Sequence, residues 1–109
     1  MKRNGNMNGN MITINGKQYK AKKEVFKCTA YCNDPITATG VKPRPMHTLA
    51  IDPKLYKYGT KIYIPYFNTI FTCEDCGGNI KGKRCDIYMG TYKECMNFGI
   101  KNLEVYILD

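Results

Sequence analysis

Three aspartates stand beside turn residues: Asp52 before Pro53, Asp75 before Cys76-Gly77-Gly78, and Asp86 after Arg84-Cys85. A carboxylate at the end of a strand can point into a cleft. An isolated aspartate, with a pKa near 3.9, is ionised at neutral pH. A second carboxylate nearby, or partial burial, raises that value and keeps a proton available for transfer. The competing role is local: an aspartate beside a turn often accepts hydrogen bonds from neighbouring amides. Only the three together, with their surroundings, point to acid–base chemistry.

The cysteines form a second group of reactive side chains: Cys28, Cys32, Cys73, Cys76, Cys85 and Cys95. Sequence does not choose among their pairings, nor between disulfides and buried thiols. Cys28-x3-Cys32 with Cys73-x2-Cys76 could make a four-thiolate zinc site. Against it, Cys73 and Cys76 flank Asp75, where a metal would crowd the carboxylate. The single histidine, His47, lies in a Pro-rich loop and gives no support to a Cys–His nucleophile. The reading requires no metal and no cofactor.

These groups must be positioned by short strands. Residues 1–10 are Asn/Gly-rich and polar, and are expected to be a flexible segment. Met11–Ile14 and Lys17–Lys20 flank Asn15-Gly16, a strong hairpin signal, so residues 11–23 read as a hairpin extension. A barrel domain is assigned to residues 24–109. Its strands are read at 24–31, 49–51, 61–66, 70–74, 85–89 and 103–108, with a Pro-rich loop at 33–47. Thr91-Tyr92-Lys93-Glu94 is a capping box opening a short helix that ends at Gly99. Six or seven short strands with one helix predict an all-β fold, closed into a small barrel so that few edges stay exposed.

The 109 residues carry a net charge of +8, from 17 Lys and Arg against 9 Asp and Glu. A basic surface attracts polyanions, whether nucleic acid, anionic lipid or wall polymer. No nucleic-acid-binding motif accompanies the charge. No run approaches the ~20 apolar residues of a membrane span. Met1–Asn6 has no apolar signal-peptide core. Either the chain stays where it is made or it leaves by cell lysis, and a phage-encoded endolysin would fit the second case.

Ordered blocks from Thr29 to Leu108 resemble the three-aspartate, or 3D, domain family of bacterial and phage cell-wall proteins. They are Thr29-Ala30-Tyr31, Thr37-Ala38-Thr39-Gly40, Leu49-Ala50-Ile51-Asp52-Pro53 and Tyr58-Gly59-Thr60-Lys61-Ile62-Tyr63-Ile64. Glu74-Asp75-Cys76-Gly77-Gly78, Ile80-Lys81-Gly82, Arg84-Cys85-Asp86-Ile87-Tyr88, Phe98-Gly99 and Val105-Tyr106-Ile107-Leu108 follow. The chain is also similar to the catalytic barrel of membrane-bound lytic transglycosylase A and of the stationary-phase survival muralytic enzymes. It departs from relatives at Asn79, usually Ala, and at Cys85, usually apolar.

The resemblance implies a six-stranded double-psi β-barrel. It implies a monomer that cleaves the MurNAc–GlcNAc bond of peptidoglycan at the cell wall, leaving a 1,6-anhydro product. Asp86 matches the catalytic acid, Asp75 the supporting carboxylate and Asp52 the third aspartate. Glycosidic cleavage needs just such a proton, delivered to the leaving oxygen. Thr29, Tyr31 and Thr39 match blocks that line the family's cleft. Lys61 and Lys81 could hold a carboxylate of the glycan. Gly77 and Gly78 could allow close backbone approach and positive φ. The alternative is a barrel that binds wall polysaccharide without cleaving it, since fold does not fix function.

Overall fold

A computed structural model describes residues 7–109, so the expectation for residues 1–6 falls outside it. Met7–Asn8 (β1) pairs with Met11–Ile14 (β2), so a strand begins inside the segment expected to be flexible. β2 turns at Asn15-Gly16, where both residues take positive φ, into β3, Lys17–Tyr31. β3 is one unbroken strand of 15 residues, running through residue 24 without interruption. Its first part pairs with β2. From Ala21 onward it pairs with the last strand, β8 (Lys101–Leu108), and from Lys27 with β7 (Arg84–Tyr88).

The remaining strands are β4 (Thr48–Ala50), β5 (Lys61–Ile64) and β6 (Thr69–Asp75). The order β3-β7-β4-β6-β5-β8 closes back on β3. Two pairings in this ring are parallel, β3 with β7 and β4 with β6, and the rest antiparallel. The fold is thus the all-β, closed six-stranded barrel expected, with β1 and β2 added outside it.

Alternation places one face of each strand inside. Phe26, Cys28, Leu49, Ile51, Ile62, Ile64, Phe71, Cys73, Cys85, Ile87 and Val105 fill the barrel. Each such aliphatic or aromatic side chain contributes about 1.5–3 kcal/mol on leaving water. Helix α1, Tyr92–Phe98, adds Phe98 to this core. Its Thr91 cap accepts the Glu94 amide at 3.1 Å, and Gly99 ends it at φ 67°. In the barrel half of β3 the odd-numbered residues face outward, and its hairpin half folds over the outside of β5 and β8. There Ile12, Ile14, Ala21, Tyr63, Tyr106 and Leu108 form a second apolar cluster. The hairpin therefore covers one flank of the barrel and leaves the outer face of β7, β4 and β6 for other use.

Candidate active site

Cys85 and Ile87 point into the core, so Asp86 between them faces outward from β7. Its register partner on β3 is Thr29, which faces the same way because Cys28 is internal. The Thr29 hydroxyl donates to Asp86 Oδ1 at 3.0 Å and lies 3.4 Å from the Cys85 carbonyl. On its other side Asp86 is paired with Ala50 of β4.

Ala50 is paired in turn with Asp75 of β6. Along β6, Cys73 faces the core, and an unbroken strand would send Asp75 inward as well. The register instead jumps from Leu49↔Cys73 to Ala50↔Asp75, leaving Glu74 as an extra residue. Such a bulge re-aims the following side chain, here onto the face that carries Asp86. Two strand spacings put the aspartate Cα atoms roughly 9–10 Å apart. The Ala50 methyl stands between them.

Asp75 is 5% exposed and fully engaged. Oδ1 accepts the amides of Ala38 and Cys76, each at 2.9 Å, and Oδ2 accepts the Tyr31 hydroxyl at 2.9 Å. Burial, and then Asp75, push the Tyr31 phenol far above its ordinary range, so it stays a donor. Asp86 is half-buried and is held through the Thr29 hydroxyl alone among the described side chains. Burial raises its pKa and the Asp75 charge adds to the rise, while the Thr29 hydrogen bond and Arg84 oppose it. The carboxylates thus differ in kind: Asp75 is a fixed acceptor tying three segments together, and Asp86 holds its proton more readily than a free carboxyl and stands closer to solvent.

Asp52 has a different surrounding. Its Oδ1 accepts the Lys54 amide at 3.0 Å and Oδ2 the Gly82 amide at 2.9 Å. Its carbonyl accepts the Leu55 and Tyr56 amides. The Gly82 and Lys54 amides, in that order, hold its pKa below the ordinary value, with Lys81 contributing charge. Asp52 is a clamp between two loops rather than a third open carboxylate.

The other expected residues divide. Thr29 and Tyr31 touch the two aspartates. Thr39 is exposed on the loop above β6: its amide donates to the Glu74 carbonyl at 3.3 Å, and its hydroxyl pairs with Thr37 at 3.0 Å. Lys81 is exposed beside Asp52. Lys61 lies further round the barrel, donating to Thr72 at 2.6 Å beside a cavity of about 380 Å³ lined also by Lys17, Tyr19 and His47. Neither Gly77 nor Gly78 takes positive φ. A Cβ at Gly77 would meet Ile80 at 3.2 Å, whereas Gly78 has open space. The glycines therefore serve tight packing at one position, not left-handed backbone at both. Cys28, Cys32, Cys73 and Cys76 do not converge: Cys28 faces Cys85, Cys73 is in the core and Cys76 is exposed. Among the described residues no three His, Cys, Asp or Glu side chains are placed to hold a metal.

Three further residues belong to the site and do not stand out in the sequence. Ala50 forms the floor. Arg84 precedes Asp86 by two residues and acts on its charge, and its buried Nε finds no hydrogen-bond partner among the described residues. Tyr88, two residues after Asp86, meets the Tyr31 ring edge-on at 5.3 Å and lines a cavity of about 360 Å³ with Tyr66, Asn97 and Phe98. The period-two spacing about Asp86 is the available signal for Arg84 and Tyr88.

Comparison with known proteins agrees with this architecture. The model of the 3D domain family matches residues 47–109, more than half of the chain. The cell wall-binding protein YocH of Bacillus subtilis (strain 168) is 31% identical over 107 residues, covering 90% of this chain and 37% of YocH. MltA from E. coli superposes with a TM-score of 0.57 at 22% identity, over 71% of this chain and 28% of MltA. The lytic transglycosylase LtgG of Burkholderia pseudomallei gives 0.54 at 26% identity, over 68% of this chain and 26% of LtgG. The chain spans well under half of each relative's length. With the family model covering the segments that carry Asp52, Asp75 and Asp86, the chain belongs to the 3D domain family.

Proposed function

We propose that this barrel acts on peptidoglycan as a lytic transglycosylase, with Asp86 as the acid and then the base. The observation that carries the reading is Asp86 itself. It is a half-buried carboxyl of raised pKa, fixed by Thr29 and set across Ala50 from Asp75. In this scheme the Asp86 carboxyl donates its proton to the oxygen linking MurNAc to GlcNAc, and the bond from MurNAc C1 to that oxygen breaks. The resulting carboxylate takes the proton of the MurNAc 6-hydroxyl. That oxygen attacks C1 and closes the 1,6-anhydro ring, so no water is consumed.

Asp75 adds negative charge near the cationic transition state and holds Tyr31 and the loop at Ala38 in place. Asp52 shapes the site by clamping its loops. The cavity beside Tyr88, with aromatic rings, Asn97 and Glu94, suits a neighbouring sugar. Thr39 and Lys81, both exposed, would meet the rim of a bound glycan. Membership of a family that includes a relative named as cell wall-binding, and the fold shared with MltA and LtgG, support a wall substrate.

The name of YocH also favours a second reading, binding to wall polysaccharide without cleavage. Incubation with purified peptidoglycan, followed by mass analysis of soluble fragments, separates the two. Anhydro-muramyl ends are expected. Reducing ends would indicate hydrolysis, and retention on the wall with no release would favour the binder.

A further inference from the structure

The cysteines fall into pairs that sequence spacing does not reveal. Cys28 on β3 and Cys85 on β7 are directly opposed in the parallel register, both fully buried, with their sulfurs 3.3 Å apart. Opposed residues on neighbouring strands lie about 4.8 Å apart at Cα, within the range a disulfide spans. Further along, β3 ends at Tyr31, whose carbonyl accepts the Met89 amide at 2.8 Å, just before the Thr91 cap of α1. That junction seats the first turns of α1 beside the end of β3. Cys32, the residue that follows β3, and Cys95 of α1 come together there, near enough for Cys32 to act on the Cys95 thiol, and both are partly exposed. Cys73 and Cys76 differ: one is in the core, and the other is exposed beside Tyr58.

We propose that Cys28–Cys85 and Cys32–Cys95 are two disulfide pairs, fastening β3 to β7 and to α1 when the protein is oxidised, with Cys73 and Cys76 left as thiols. Each bond forms by exchange with a small-molecule disulfide. Two thiols lose two protons and two electrons, one S–S bond forms, and the oxidant is reduced to two thiols. The first pair fixes the β3–β7 register on which the Thr29–Asp86 contact depends. The second pins α1 beside that register.

The two pairs should close at different rates. Burial and Cys32 push the Cys95 thiol up to about 11, yet oxidant can reach it. Cys85 is raised by Cys28 and by burial, and oxidant reaches it only when the barrel opens. Cys32–Cys95 is therefore expected first, and Cys28–Cys85 on refolding.

The test is refolding of the reduced chain with oxidised and reduced glutathione, followed by intact-mass measurement and peptide mapping after alkylation. The expected result is a loss of four hydrogens, with cross-links 28–85 and 32–95 and alkylation at Cys73 and Cys76. The Cys32→Ser, Cys95→Ser double variant should lose two hydrogens and keep the 28–85 link. Six alkylated cysteines after refolding, or a cross-link that uses Cys73 or Cys76, would overturn the assignment.

Discussion

Replacing Thr29 with Val removes one hydroxyl and little volume. That hydroxyl donates to Asp86 Oδ1 at 3.0 Å and works against the rise in the Asp86 pKa. A hydrogen bond to an ionised group contributes about 1.5–3 kcal/mol, and one pKa unit corresponds to about 1.36 kcal/mol. Water can take over part of the bond because Asp86 is only half-buried. The net expectation is a further rise in the Asp86 pKa, smaller than the full loss of that bond would give. Carboxyl-carbon NMR of protein labelled at aspartate follows the titration directly, with Thr29→Ser as the control that keeps the donor. If Asp86 in Thr29→Val titrates at or below the wild-type pH, the hydroxyl does not hold this carboxylate and the account of the site's electrostatics fails.

Asp86→Asn should also stabilise the fold at neutral pH. The folded-state pKa of Asp86 lies above its unfolded value, so its ionisation disfavours folding as pH rises through the folded value. The gain in Tm should grow as pH rises above the unfolded value and vanish below about pH 4, and a gain that persists at pH 3 would show another origin. Asp52→Ala should do the reverse. The Asp52 pKa is held down by the Gly82 and Lys54 amides, so its contribution is present above the unfolded value and lost as pH falls through the folded one. Its removal should lower Tm at pH 7, with wild type and variant converging in acid. An unchanged Tm at pH 7 would remove Asp52 from its role as a loop clamp.

What the sequence reveals follows from what is local. The Thr91 cap and Gly99 stop depend on contacts within a few residues, and α1 begins and ends where they predict. Asn15-Gly16 turns the hairpin for the same reason. The three aspartates are legible as a set beside turn residues, and their separate roles come from the family resemblance. Their inequality is hidden because it arises from pairing. The bulge at Glu74 shows only against β4, and it decides that Asp75 shares a face with Asp86. Asp52 reads like the others until Gly82, thirty positions on in sequence, closes on it. Lys61 stands in a matching block, yet the β5–β6 register carries it to Thr72 and away from the aspartates.

The central claim is that Asp86 moves the proton and does not merely hold the fold or the ligand. Wild-type protein and Asp86→Asn should be compared on the same insoluble peptidoglycan, measuring co-sedimented protein and soluble anhydro-muropeptides by mass. The account predicts equal binding, release by the wild type, and loss of release by more than about a hundredfold in the variant, as expected when a general acid is removed. Release of anhydro-muropeptides by Asp86→Asn at a rate near wild type would contradict it.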